Sequence, residues 1–257
     1  LTHIKTLSSG GPAAAIDVAD HGCASCVVRE NAVCAHCDTA DFATLSAIKF
    51  TRSYAAGESV VWVGDRMAFV GSVISGVASL TQTLDDGRTQ MVGLLLPSDF
   101  LGRPGRDCAP YTVTALTDTQ LCCFHRRPFE ELMRKNPRIS ARLLEMTLDE
   151  LDAAREWLLL LGRKSAREKI ASFLAIIARR AAPQRTASGA AVTFDLPLTR
   201  DAMADYLGLT IETVSRQISA LKREGVIALK GARRVTVPDF ARLVAESGDD
   251  ADGGPLA

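Results

Sequence analysis

One stretch near the C-terminus, "LTRDAMADYLGLTIETVSRQISALKREGVI" (198–227), restricts the possible folds more than any other. Ala202, Ala204 and Leu207 predict a short helix, Gly208 a tight turn, and Thr210 the N-cap of a second helix over 211–224. Ile211, Val214, Ile218 and Leu221 share one face of that second helix and are expected to be buried. Glu212, Ser215, Arg216 and Ser219 point away. A polar outer face near a helix N-terminus is what a major groove accepts. Arg can fork onto guanine there, and Glu can accept from cytosine. The following "VIALKGARRVTVP" predicts a two-stranded wing carrying Lys230, Arg233 and Arg234 toward phosphates. The competing reading is an ordinary amphipathic helical hairpin.

Charge adds a second pointer. The net charge is zero, yet residues 163–239 hold fourteen Lys and Arg against seven Asp and Glu. The local excess of +7 implies −7 elsewhere. Such a basic region fits a polyanion partner, and equally a solvated helical surface. Apolar runs such as 173–178 are too short to span a bilayer, so no membrane partner is expected. The first twenty residues lack a signal-peptide pattern, and a soluble cytoplasmic protein is expected.

The chain divides by composition. Residues 1–20 are Gly-, Ala- and Ser-rich and read as a flexible leader; 21–49 hold a cysteine-rich loop and a short helix with Phe42, Leu45 and Ile48 at helical spacing. Residues 50–136 carry short β-prone runs broken by turns, with Asp86-Gly87 predicting a hairpin after "SLTQTL", and together imply an antiparallel roll or sandwich. From Pro137 to 162 the interior lacks Gly and Pro, and Leu144, Thr147, Leu151, Ala154, Leu158 and Leu161 step by three and four. That seam fits a two-helix dimer, or a long helix packed on its own domain, and its length favours the dimer. Gly162 is expected to end or bend the helix. Residues 163–245 hold the second helix pair and wing, with 182–192 read as a loop, and 246–257 read as a disordered tail.

Four of the seven cysteines fall in "HGCASCVVRENAVCAHC" with the spacing C-x2-C-x7-C-x2-C. In a reducing compartment an odd number of cysteines disfavours a disulfide framework. A zinc site at Cys23, Cys26, Cys34 and Cys37, a redox pair and part of an iron–sulfur site all remain open. His3, His21, His36 and His125 show no ligand spacing, which argues against a haem sensor. No catalytic grouping stands beside the cysteines, so a cluster-bearing enzyme or electron carrier has little support and no enzyme is expected.

"DYLGLTIETVSRQISALKREGVI", with its "ExxSR", resembles the winged helix-turn-helix of the CRP/FNR family of transcriptional regulators. The likeness runs over about 20–240. "MVGLLLPSDFLGRPGRD" and "MTLDELDAAREWLLLLGRKSAREKIAS" bring it nearest the oxygen-sensing iron–sulfur branch of α-proteobacteria, the FnrL/FnrN type. The resemblance implies an α+β fold: a cyclic-nucleotide-binding-like β-roll (a double-stranded β-helix), a long dimerisation helix, and a C-terminal winged helix. It implies that Glu212, Ser215 and Arg216 read a TTGAT-like half-site of a palindrome in double-stranded DNA, the second subunit of a homodimer reading the other half. With them we place Thr199, Arg200, Thr210, Thr213, Lys230 and Arg233 as candidate DNA contacts. It further implies a [4Fe–4S] cluster held by Cys23, Cys26, Cys34 and Cys122, lost to oxygen. Cys123 is excluded because adjacent strand residues face opposite ways. Cys37 and Cys108 are left out, with zinc at Cys23, Cys26, Cys34 and Cys37 as the alternative. No cyclic nucleotide is expected: "DFLGRPGRDCAPYTVTA" has Ala109 and Pro110 in place of an Arg–Ser pair and lacks the cassette Glu. In relatives a roll hairpin, here near Asp85 to Arg88, touches RNA polymerase, which is therefore an expected partner.

Overall fold

The computed structural model describes residues 23–248. The expected leader over 1–20 and residues 249–257 of the expected tail lie outside the described residues. A single 3₁₀ turn, Cys23–Ser25, opens the cysteine loop, and α1 follows at Thr39–Ile48. Asp38 caps α1, and Asp41 reaches back to the Asp38 amide to close a capping box. Leu45 is the fully buried residue of the expected stripe, with Phe42 and Ile48 half-buried.

Eight strands form the roll: β1 (Lys49–Tyr54), β2 (Ser59–Val61), β3 (Phe69–Ser75), β4 (Ala78–Thr83), β5 (Thr89–Leu95), β6 (Phe100–Leu101), β7 (Thr112–Ala115) and β8 (Thr119–His125). They make two four-stranded sheets, β1-β8-β3-β6 and β2-β7-β4-β5. Tyr54, Phe69, Val73, Leu101, Val113 and Leu121 fill the space between them. The Asp86-Gly87 turn joins β4 to β5 as expected, with Gly87 at φ 86° and the Leu84 amide 2.8 Å from the Arg88 carbonyl.

Strand β8 is central, paired antiparallel on both sides. Its alternation sends Cys123 into the roll core, where it is fully buried, and Cys122 to the opposite face. Gly71 of β3 lies beside this pair, and a Cβ there would sit 2.6 Å from the Cys122 carbonyl oxygen. Only glycine lets β3 approach β8 so closely at this point.

Helix α2 (Arg126–Lys135) covers the outer face, and Phe129 stacks on Phe124 at 5.3 Å. The long helix α3 (Pro137–Arg163) starts at an Asn136 cap with Pro137 in the first turn. At 1.5 Å per residue it is about 40 Å long. Its inner face buries Ile139 and Leu160, while Leu144, Leu148, Leu151, Leu158 and Leu159 stand exposed. Leu161 differs from the expected seam: it turns inward and packs on the C-terminal core. Gly162 lies within the last turn, and the break comes at Lys164.

The C-terminal half contains α4 (Ala166–Ala181), α5 (Pro183–Ala187), β9 (Val192–Asp195), α6 (Arg200–Leu207), α7 (Ile211–Arg223), β10 (Ala228–Lys230), β11 (Arg234–Val237) and α8 (Phe240–Glu246). The expected loop over 182–192 contains the short α5, started by Pro183. The wing has a third strand, because β9 pairs with β11 and buries Val192 and Phe194. Glu246 and Ser247, placed in the expected tail, belong to the fold instead: Glu246 ends α8 and pairs with Arg167 at 2.6 Å, and Ser247 is buried. The core of this half is shared with the roll, since Val77, Met91 and Leu96 lie in one buried cluster with Phe173, Leu207 and Leu221. Trp157 of α3 stacks on Tyr206 of α6 at 4.2 Å, and Asp99 of the roll pairs with Arg180 of α4.

Candidate nucleic-acid interface and cysteine cavity

Two threonine caps set the helix pair. Thr199 Oγ1 accepts from the Ala202 amide at 3.2 Å, and Thr210 Oγ1 accepts from the Thr213 amide at 3.3 Å. Between them Gly208 adopts φ 62° and ψ 45°, the left-handed geometry that stops α6 and turns the chain. Lys169 Nζ donates to the Leu207 carbonyl at 3.3 Å, tying the end of α6 to α4.

On α7 the buried stripe is Val214, Ile218 and Leu221. Ile211, expected there, is 41% exposed because it opens the helix beyond the end of α6. Glu212, Ser215 and Arg216 face solvent, and Thr213 is half-buried. Arg216 Nη2 lies 3.5 Å from Thr213 Oγ1, which holds the guanidinium near the N-terminal turn. Lys230 and Arg233 are exposed on the wing, as is Arg234. Arg200 differs from them: it is half-buried, its Nη1 sits 3.7 Å from Met203 Sδ, and burial lowers its pKa. Of Arg200 and Arg216, Arg216 is therefore the one whose guanidinium stands in solvent at the outer face of α7.

Cys122 lies 88 positions beyond Cys34, yet the fold brings the cysteine loop and β8 together. A cavity of about 190 Å³ is lined by Cys23, Cys26, Cys34 and Cys122. Leu45, Ile74 and Phe124 make much of its remaining wall apolar, and Lys49 brings one cation. Cys37, Cys108 and Cys123 do not line it. Cys37 packs in the apolar cluster beside Cys34, Cys123 lies inside the roll, and Cys108 is exposed elsewhere.

Burial governs the chemistry of four of the thiols, Cys34, Cys37, Cys122 and Cys123. It pushes Cys34 up to about 11, with Cys26 adding to the rise. It pushes Cys122 up to about 12, opposed by Lys49 and reinforced by Cys23, Cys34 and Cys26. Cys37 and Cys123 also rise to about 12, again chiefly by burial. Without a cation such thiols stay protonated at neutral pH, so metal binding here must displace protons. Among the described residues no three His, Cys, Asp or Glu side chains converge closely enough to hold a single metal ion. The residue at the expected position of a nucleotide-gripping arginine, Ala109, is buried in the roll core.

The loop also grips α3, which spacing could not reveal. Arg138 pairs with Asp38 at 2.6 Å and Asp41 at 2.8 Å, and Arg142 donates to the Asn31 carbonyl at 2.7 Å.

Comparison with known proteins agrees with this layout. The Crp-like helix-turn-helix domain matches residues 168–246, and the cyclic nucleotide-binding domain matches residues 51–136. The transcriptional activator protein FnrL of Cereibacter sphaeroides is 67% identical over 235 residues, covering 91% of this chain and 95% of that protein. The nitrogen fixation regulation protein FixK of Bradyrhizobium diazoefficiens is 37% identical over 81% of this chain and 87% of its own. The solved structure of FixK2 from Bradyrhizobium japonicum superposes with a TM-score of 0.71 at 31% identity, covering 79% of this chain and all of that one.

Proposed function

The chain belongs to the CRP/FNR family of transcriptional regulators, and from that premise we propose that it is an oxygen-responsive one, its state set at the cysteine cavity. Its relatives are DNA-binding regulators of the FNR and FixK type, not enzymes. The observation that carries the finer reading is the cavity, which gathers Cys23, Cys26, Cys34 and Cys122 and leaves out Cys37.

Zinc needs all its sulfurs about 2.3 Å from one point, and the thiols as arranged do not converge on one. Thiols spread around an apolar wall suit a group that itself fills the middle, as a [4Fe–4S] cluster does. When bound, that cluster supplies an oxygen-labile cross-link between the loop and β8. Three cysteines on the loop and one on a central strand are then tied together, so the loop keeps its place against α3. The exposed leucines of α3 pair with those of a second copy, and two α7 helices read the half-sites of a TTGAT-like palindrome. Released thiols free the loop, and the dimer weakens. We read the regulated genes as anaerobic ones, RNA polymerase as the downstream partner and the cytoplasm as the compartment. No helix among the described residues is long and apolar enough to cross a membrane. Ala109 and Pro110 stand where a cyclic nucleotide would need an Arg–Ser pair, so we assign the roll no such ligand.

Anaerobic purification tests this reading. The protein should be brown, with about four iron and four sulfide per chain, and should bleach in air with loss of DNA binding. Cys122→Ser should abolish the cluster, whereas Cys37→Ser and Cys123→Ser should keep it. A colourless zinc protein indifferent to air would sink the proposal.

A further inference from the structure

The cysteine loop is fastened to the dimer helix at two places of different character. Arg138 holds Asp38 and Asp41, and both carboxylates belong to the capping box of α1. Local helix geometry fixes that anchor. Arg142 lies one turn further along α3 and holds main-chain oxygens instead. Its Nη2 donates to the Asn31 carbonyl at 2.7 Å and its Nε to the Ala32 carbonyl at 3.4 Å. Its Nη1 donates to Glu145 at 3.1 Å, and the side chain is 18% exposed.

Asn31 and Ala32 sit in the turn between Cys26 and Cys34. That turn is closed by the Ala32 amide on the Val28 carbonyl at 3.0 Å and the Ala35 amide on the Ala32 carbonyl at 3.0 Å. A carbonyl oxygen cannot move independently of its backbone, so wherever the two cysteines put the turn, the guanidinium meets it or loses it. Next to Arg142, Leu143 packs in the cluster that holds Cys34 and Cys122, while Leu144 stands on the exposed stripe. One turn of helix therefore touches the loop on one side and the pairing face on the other.

We propose that Arg142 is the positioning residue that couples the cysteine loop to dimerisation. With the cysteines anchored, two carbonyls hold its guanidinium, and the first turns of α3 are fixed for pairing. With the cysteines released, Arg138 keeps the loop attached while Arg142 lets go and those turns lose order. This deepens the oxygen-responsive reading and rests on it.

The test compares wild type, Arg142→Ala and Arg142→Lys, each with the cluster rebuilt from ferrous iron and sulfide and each metal-free. Sedimentation equilibrium gives the dimer constant, iron content and visible absorption report loading, and amide exchange over 138–148 reports helix order. Arg142→Ala should load iron normally and match wild type when metal-free. In the loaded form its dimer should weaken about tenfold, and its amides should exchange faster. Arg142→Lys, a point charge without the fork, should fall between the two. Equal weakening in both forms would mark a merely structural arginine, and an undiminished gap between forms would overturn the coupling outright. Failure of the underlying reading looks different: wild type itself would take no cluster or dimerise equally in both forms, and the coupling would fall with it.

Discussion

Leu158→Ala should dissolve the dimer without harming the protomer. Leu158 is 71% exposed although it lies within the apolar stripe of α3. Truncation removes roughly three carbons at about 0.8 kcal/mol each, which scaled by that exposure is about 1.7 kcal/mol per chain. Two-fold symmetry counts the loss twice, about 3 kcal/mol in all and on the order of a hundredfold in Kd. Leu151 is 45% exposed, so Leu151→Ala should cost less by the same arithmetic. Leu161→Ala is the internal control, because that side chain packs on the protomer's own core and its loss should lower thermal stability instead. Sedimentation equilibrium on anaerobic protein measures the constants, and melts at concentrations where the protein is monomeric measure the protomer. A Leu158→Ala dimer weakened less than threefold, or a larger effect from Leu161→Ala, would refute the assignment of this face.

Arg216→Ala should cost about 1–3 kcal/mol on a matched site and relax preference at one base, whereas Lys230→Ala should weaken all sequences alike and flatten the salt dependence by about one unit; competition binding at two salt concentrations separates them. Gly71→Ala should lower thermal stability and cluster loading together, because its methyl would meet the Cys122 carbonyl; normal loading would count against the tight β3–β8 approach. Asp41 is held below its ordinary value of 3.8 by the Asp38 amide, then by Arg138. Its contribution is therefore present above pH about 4 and lost as pH falls through the lowered value, so Asp41→Asn should flatten the acid limb of the stability curve.

Local signals were legible in the sequence, and long-range ones were not. The turn at Gly208, the cap at Thr210 and the hairpin at Asp86-Gly87 each depend on neighbours within a few residues, and each takes its expected form. The opposite facing of Cys122 and Cys123 follows from strand alternation alone. Leu144, Leu151 and Leu158 of the heptad stripe stand exposed, but so do Leu148 and Leu159 outside it, and Leu161 packs on the core, because only the packed core decides which side of a helix is inner. The grip of Arg142 on Asn31 spans 111 positions, and β9 joins β11 across about 40, so neither leaves a local trace. The acidic composition from 246 onward predicts a tail, whereas Arg167 recruits Glu246 into the fold from 79 positions away.

The buried cluster that joins Val77, Met91 and Leu96 to Phe173, Leu207 and Leu221 has a consequence for how such a molecule can change over time. A reading head with a core wholly its own could be exchanged between sensors like an interchangeable part. Here transplantation would leave roll residues bare and strip the helix pair of three of its neighbours. The Gln90 side chain, donating to the Asp205 carbonyl at 3.0 Å, would lose its acceptor as well. Sensor and reader must therefore drift together, and a chimera that keeps this chain's helix pair should fold only if it also carries β5 and the segment leading to Leu96.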